Sequence, residues 1–139
     1  MRLVWYSLSD GGVDDDEQFV CLCFGWTGND LLYPGDLPAD LHYTLVFANA
    51  CKSASGDGLA FANAFGADAY VGWRDPIANS VAVSFANYFM EALKGRQTVG
   101  QAVTTAINSF SVGSWGYQQV VNNIRILRGA NVVVDLSSN

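Results

Sequence analysis

Cys51 is the side chain best placed to do chemistry in this sequence. It closes a nearly continuous run of apolar and β-favouring residues, Tyr43-Thr44-Leu45-Val46-Phe47-Ala48-Asn49-Ala50. A run with neither a helical stripe nor polar alternation is the pattern of a parallel strand covered on both faces. The small, polar residues 52–58 follow and lead into a helix pattern. Open α/β sheets bind ligands outside the carboxyl ends of their strands, and loop amides there can stabilise a thiolate or an oxyanion. A buried, inert thiol is the competing reading, because free cysteine is among the most buried residue types. Both stay open at this point.

A nucleophilic cysteine needs a base within hydrogen-bond reach. The single histidine, His42, lies nine residues earlier, at the other end of the same predicted strand. At about 3.3 Å per residue that is roughly 30 Å, so His42 cannot serve Cys51 within one chain. It is expected at the surface. An aspartate with a perturbed pKa is the remaining intrachain candidate for a base.

Three further groups of residues have metal- or phosphate-binding types without the matching spacing. Cys21 and Cys23 share one face of a strand pattern, but a zinc site needs about four ligands and no companions lie nearby. Asp10, Asp14, Asp15, Asp16 and Glu17 do not follow the spacing of an EF-hand loop, which favours a solvated acidic turn. Gly56-Asp57-Gly58 is too short for a phosphate loop and lacks the Lys-Ser/Thr pair. No metal or other cofactor is expected.

The elements around these residues read as alternating strands and helices. Residues 2–8 form a strand pattern ended by Ser9-Asp10-Gly11-Gly12, residues 18–26 are a second apolar run, and residues 31–41 are loop around Pro34, Gly35 and Pro38. Residues 59–65 fit a short helix stopped by Gly66, and residues 68–73 a strand. Asp75-Pro76 suits a helix start. Val81, Phe85, Phe89 and Leu93 make one apolar stripe on that helix, which Gly95 ends. Thr98 and Gln101 make a capping box for the next helix, with Val99, Val103, Ile107 and Phe110 on its buried face. The tail reads as a terminal pair of strands, 123–127 and 131–136, around Arg128-Gly129-Ala130. Right-handed βαβ units and a mainly parallel sheet follow from the alternation.

Length and composition bound the function. The 139 residues are one α/β domain's worth of chain, 50% apolar and 14% charged, which excludes disorder. No window reaches the roughly 18 apolar residues of a membrane span, and residues 1–10 contain no signal-peptide core. The net charge of −6 repels phosphates, so nucleic acid is not an expected partner; a cationic peptide or polyamine is compatible, and the charge also serves solubility. Three cysteines at uneven spacing argue against a disulfide framework and for reduced thiols in a cytoplasmic setting.

The stretch Leu45-Val46-Phe47-Ala48-Asn49-Ala50-Cys51-Lys52-Ser53-Ala54 resembles the nucleophile strand of the caspase-like cysteine peptidases, above all their gingipain, clostripain and CHAT-type branches. The similarity continues through Gly58-Leu59-Ala60-Phe61-Ala62-Asn63-Ala64-Phe65 and Gly66-Ala67-Asp68-Ala69-Tyr70-Val71-Gly72-Trp73. Those residues match a small-residue helix, a Gly-Ala turn and a strand ending near Trp. A long helix with aromatic residues ending Leu93-Lys94-Gly95, and a second helix after Thr98, complete it over residues 41–108, about half the chain.

The resemblance implies a three-layer α/β/α domain, like the carboxyl-terminal part of a caspase-like peptidase, with Cys51 in the nucleophile position. It also implies a cleft beside Cys51. Asn49, Lys52, Ser53, Trp73, Arg74 and Asp75 are the candidate binding residues there, with Arg74 suited to a carboxylate and Asp75 to a basic side chain. Helix capping explains Asp75 equally well. In the family, the catalytic histidine stands in a His-Gly pair after the preceding parallel strand; here residues 3–8 lead into Ser9-Asp10-Gly11-Gly12, with Asp10 in its place.

The expected function is therefore that of a degenerate, non-proteolytic member that acts by binding a peptide or protein, or by assembly. A thiol hydrolase whose base is Asp10 or comes from a partner chain is the alternative, and a structural domain with inert Cys51 the third. The family domain has further strands before this point, so Met1 is expected to begin a truncated or minimal version. The resulting open sheet edge would favour a homo-oligomer.

Overall fold

The computed structural model of the chain describes residues 2–7, 19–25, 35, 37–49, 52–56 and 58–134. The fold is α/β. Five strands, β1 (Arg2–Ser7), β2 (Phe19–Gly25), β3 (Tyr43–Asn49), β4 (Ala67–Trp73) and β5 (Ile124–Arg128), form one sheet in that spatial order. Helix α1 (Gly58–Ala64) joins β3 to β4, and α2 (Asn79–Lys94), α3 (Val99–Asn108) and α4 (Trp115–Asn123) lie between β4 and β5.

The sheet is mixed rather than mainly parallel. β3 runs parallel to both β2 and β4, while β1 and β5 pair antiparallel at the two ends. The antiparallel β5 also replaces the expected terminal strand pair. Ile124 pairs with Trp73, and beyond Gly129 the chain turns away to make a lone bridge from Val133 to Thr98. That turn has a use. The amides of Val99 and Gly100 donate to the carbonyls of Val132 and Ala130, both at 2.8 Å, and the Gln101 amide donates to Thr98 Oγ1 at 3.1 Å. The expected capping box is present, and the tail satisfies two more of the free amides that begin α3.

The continuous apolar runs of β3 and β4 are buried on both faces, as their composition predicts. The odd-numbered residues of β3 from Leu45 and of β4 from Ala69 (Leu45, Phe47, Ala69, Val71, Trp73) pack with α2, α3 and α4, whereas Val46, Ala48, Ala67 and Tyr70 pack with Ala62 and Phe65 around α1. The stripe Val81, Phe85, Phe89 and Leu93 is entirely buried. Phe85 is its centre, with its ring 5.1 Å from Trp73, 5.8 Å from Phe47 and 5.7 Å from Phe89.

Two local expectations are corrected. Helix α2 begins at Asn79 after an extended Ala78 that makes no side-chain cap, not at Asp75-Pro76. The Arg74 amide is committed to the Asn123 carbonyl at 2.8 Å and Ile77 is drawn into the core, so the chain crosses the sheet end before it can coil. Helix α4 was not expected from its polar sequence. It is capped by Ser114 Oγ, which accepts from the Tyr117 amide, and is held by Val120 and by Gly116 lying against the Phe110 ring.

Truncating a fully buried aromatic at this centre removes transfer energy and leaves a cavity. Phe85→Ala should cost about 3–5 kcal/mol in a urea unfolding curve, while Val83→Ala, on the exposed side of the same helix, should stay within about 0.5 kcal/mol.

Candidate functional site

The sequence-predicted site falls at the carboxyl ends of β3 and β4. Of its residues, Cys51 and Asp10 lie outside the described residues; Asn49, Lys52, Ser53, Trp73, Arg74 and Asp75 are described. Parallel pairing brings the two strand ends side by side, with Ala48 opposite Gly72.

Trp73 is the hub. Its side chain is fully buried and its indole Nε1–H donates to Asn49 Oδ1 at 2.7 Å. Asn49 in turn donates from Nδ2 to the Ala82 carbonyl in α2, at 3.4 Å. The Trp73 amide donates to Ser53 Oγ at 2.9 Å, and its carbonyl accepts from the Ala54 amide at 2.9 Å. Ser53 Oγ donates to the Ala48 carbonyl at 2.6 Å, and the buried Tyr70 hydroxyl donates to the Ser53 carbonyl at 2.9 Å. Burial holds the Tyr70 phenol well above its usual range, so it remains a donor at any ordinary pH.

These bonds assign roles. Asn49 and Trp73 brace the strand ends against α2. Ser53 fastens the loop to β4 through both its hydroxyl and its carbonyl, and its hydroxyl hydrogen is committed to Ala48. Gly72 permits this approach, because a Cβ there would stand 2.5 Å from Ser53 Oγ. Lys52 is exposed, in a left-handed turn at φ 62°, and its carbonyl accepts from the Ser55 amide and hydroxyl. Arg74 is exposed and donates from Nε to Asp75 Oδ2 at 3.0 Å. This ion pair, rather than a helix cap, occupies Asp75. Lys52, Arg74 and Asp75 are thus the candidate binding residues that face solvent, on a rim whose backbone is fixed from beneath.

His42 sits at the opposite edge, where β3 and β4 begin. Its Nε2–H donates to the exposed Asp68 carboxylate, 3.1 Å from each oxygen. The seven residues of β3 hold it about 20 Å from Asn49 at the other end of the strand; the aspartate partner was not foreseen.

The strand expected to precede the histidine position needs correcting. The parallel neighbour of β3 is β2, not β1. β1 runs antiparallel to β2, with Ser7 opposite Val20, so it ends at the edge where β2 and β3 begin. The sequence following β2 is Trp26-Thr27-Gly28-Asn29-Asp30, again without histidine. Cys21 and Cys23 fall on β2, with Cys23 opposite Asn49 in register. Among the described residues, no three His, Cys, Asp or Glu side chains cluster as metal ligands do, and no helix is long and apolar enough to cross a membrane.

No protein-family model, curated protein or solved structure matches this chain. The site therefore stands on its own geometry. Ser53→Ala removes a hydroxyl that both donates and accepts, and it leaves the Trp73 amide unpaired. It should destabilise the protein by about 1–3 kcal/mol in chemical denaturation and speed amide exchange at Trp73, whereas exposed Arg74→Ala should change stability by less than about 0.5 kcal/mol.

Proposed function

We propose that this chain is a degenerate caspase-like domain of three-layer α/β/α type, with Cys51 in the nucleophile position, that acts through binding or assembly rather than peptide turnover. The observation that carries this reading is the position of the only histidine. His42 is held by Asp68 at the edge where the parallel strands begin, while Cys51 follows Asn49, at the edge where they end, by two residues in sequence. A thiol without a base in reach is a poor nucleophile at neutral pH. β1, the strand before Asp10, ends at the His42 edge, and Asp10 itself lies outside the described residues.

Apolar residues on both faces of β3 and β4, a helix between two parallel strands, and a braced loop after the Cys51 strand support the fold part of the proposal. A rim of Lys52, Arg74 and Asp75 over a buried frame suits a peptide or protein ligand, with charged groups free to pair with it at little structural cost. The sheet ends at β1 and β5 offer one route to a homo-oligomer. A reduced, cytoplasmic setting fits three cysteines at uneven spacing.

The rate of Cys51 alkylation between about pH 5 and pH 9, with Cys51→Ala as control, tests this reading. The expected profile rises with an ordinary thiol pKa of about 8.5 and accompanies no cleavage of Arg- or Lys-containing peptides. A thiolate present well below that pH, together with peptide turnover, would establish a working thiol hydrolase instead. Protection until the protein unfolds would make Cys51 an inert core residue.

A further inference from the structure

An edge strand presents unpaired N–H and C=O groups to any other strand, and a sheet that stays discrete has to blunt them. β5 is one end of this sheet. The bond from the Arg74 amide to the Asn123 carbonyl makes those two residues a hydrogen-bonded pair. In the same register Trp73–Ile124 and Val71–Ile126 are then non-hydrogen-bonded pairs, so the amides and carbonyls of Ile124 and Ile126 point away from β4. Both groups of Ile124 are engaged. Its amide donates to the Val120 carbonyl of α4, and its carbonyl accepts from Arg125 Nη1 at 2.7 Å. Arg125 Nη2 also donates to the Asn122 carbonyl at 3.1 Å, so one guanidinium covers two acceptors where β5 begins. At the other end the register slips by one residue at Leu127, and Gly129, at φ 78°, turns the chain out of the sheet. Among the described residues of β5, Ile126 is left to offer an outward amide and carbonyl.

We infer that Arg125 closes the β5 end of the sheet to strand addition and thereby limits edge-to-edge assembly of this chain to two copies. A second strand needs donors and acceptors repeated at two-residue spacing. Here a guanidinium stands in place of the first acceptor, and the slip at Leu127 ends the run after one more residue. Arg suits the task. Its rigid fork holds both carbonyls at once, it accepts no hydrogen bond, and it stays charged at every ordinary pH. An incoming strand would have to displace it and leave a cation unpaired. With β5 closed, β1 is the sheet end at which a second copy adds. A sheet open at one end pairs once about a two-fold axis, whereas one open at both ends propagates. The limit of two rests on the assembly reading above, but the closing of β5 does not. Neither involves Cys51, so failure here would not alter the alkylation result.

Arg125→Met keeps an apolar stem and removes the donors. Sedimentation of parent and variant under reducing conditions, up to about 1 mM chain, reads the outcome, because even weak contacts populate there. The parent should show no species above twice the 15.0 kDa of one chain. The variant should form species that grow with concentration, with an average mass at least about twofold higher than the parent's. Adding Ile126→Pro, which removes an outward amide only, should return the double variant to the parent's size. Hydrogen exchange of the parent reads the same edge without a substitution. Its Ile126 amide should exchange at least about tenfold faster than the Arg125 amide, which faces β4, at every concentration. A variant no larger than the parent would overturn the inference, as would association that survives Ile126→Pro or a parent that grows beyond two copies. So would an Ile126 amide that becomes protected as the parent is concentrated, since a second strand would then lie on β5.

Discussion

Much of this structure hangs on the end of β4, where Trp73 joins three elements at once. Its ring is fully buried against Phe85 of α2, its indole N–H holds Asn49 at the end of β3, and its peptide group holds Ser53 and Ala54 of the loop beyond. Large aromatic burial supplies most of the energy; the hydrogen bonds, each worth about 1 kcal/mol net, supply the geometry. An apolar replacement of Trp73 would keep some of the first and lose part of the second. The indole explains why a polar Asn is tolerated at the end of an otherwise apolar strand. Asn49 is a structural acceptor for Trp73 and a donor to Ala82 before it is anything else.

That junction also decides which residues remain for function. Ser53, Asn49 and Trp73 stood together as binding candidates, but their polar atoms are turned toward one another. The charged groups next to them in sequence, Lys52 and Arg74, keep their side chains outside. With the backbone fixed beneath exposed charge, little backbone ordering would be left to be done if a partner bound there. The same rigidity fixes the distance to His42. β3 is a strut between two edges of the sheet, and a side chain at one end cannot reach the other without breaking the pairing of β3 with β2 and β4.

The middle of the chain was legible because its signals are local and mutually consistent. Val81, Phe85, Phe89 and Leu93 announce a helix and its buried face together, and Thr98 with Gln101 fixes the start of the next. β3 and β4 were legible from burial alone. Strand direction was not. Nothing in Arg2–Ser7 or Ile124–Arg128 encodes the sense of pairing, which depends on the partner strand and on where the connection arrives. Helix α4 was hidden because its sequence, Trp115-Gly116-Tyr117-Gln118-Gln119-Val120-Val121-Asn122-Asn123, has a weak apolar stripe and a glycine that lowers helix propensity. That glycine is what lets the helix lie against Phe110, so the residue that obscured the helix is one that seats it. A Ser at 114 was the available signal, and it does cap.

Asp75-Pro76 shows why a correct local rule can give a wrong position. Asp and Pro suit a helix start, but the helix could begin there only if the preceding amide and the following side chains were free. The Arg74 amide is already bonded to Asn123, Ile77 is needed in the core, and the Asp75 carboxylate has a guanidinium beside it. Two tertiary demands and a local ion pair outweigh a cap worth about 1 kcal/mol. The result leaves an irregular segment, residues 74–78, between β4 and α2 at the same sheet end as the Cys51 loop. The rim of the candidate site is shaped there by what the core requires, and the exposed Arg74–Asp75 pair is the part that the core leaves at the surface.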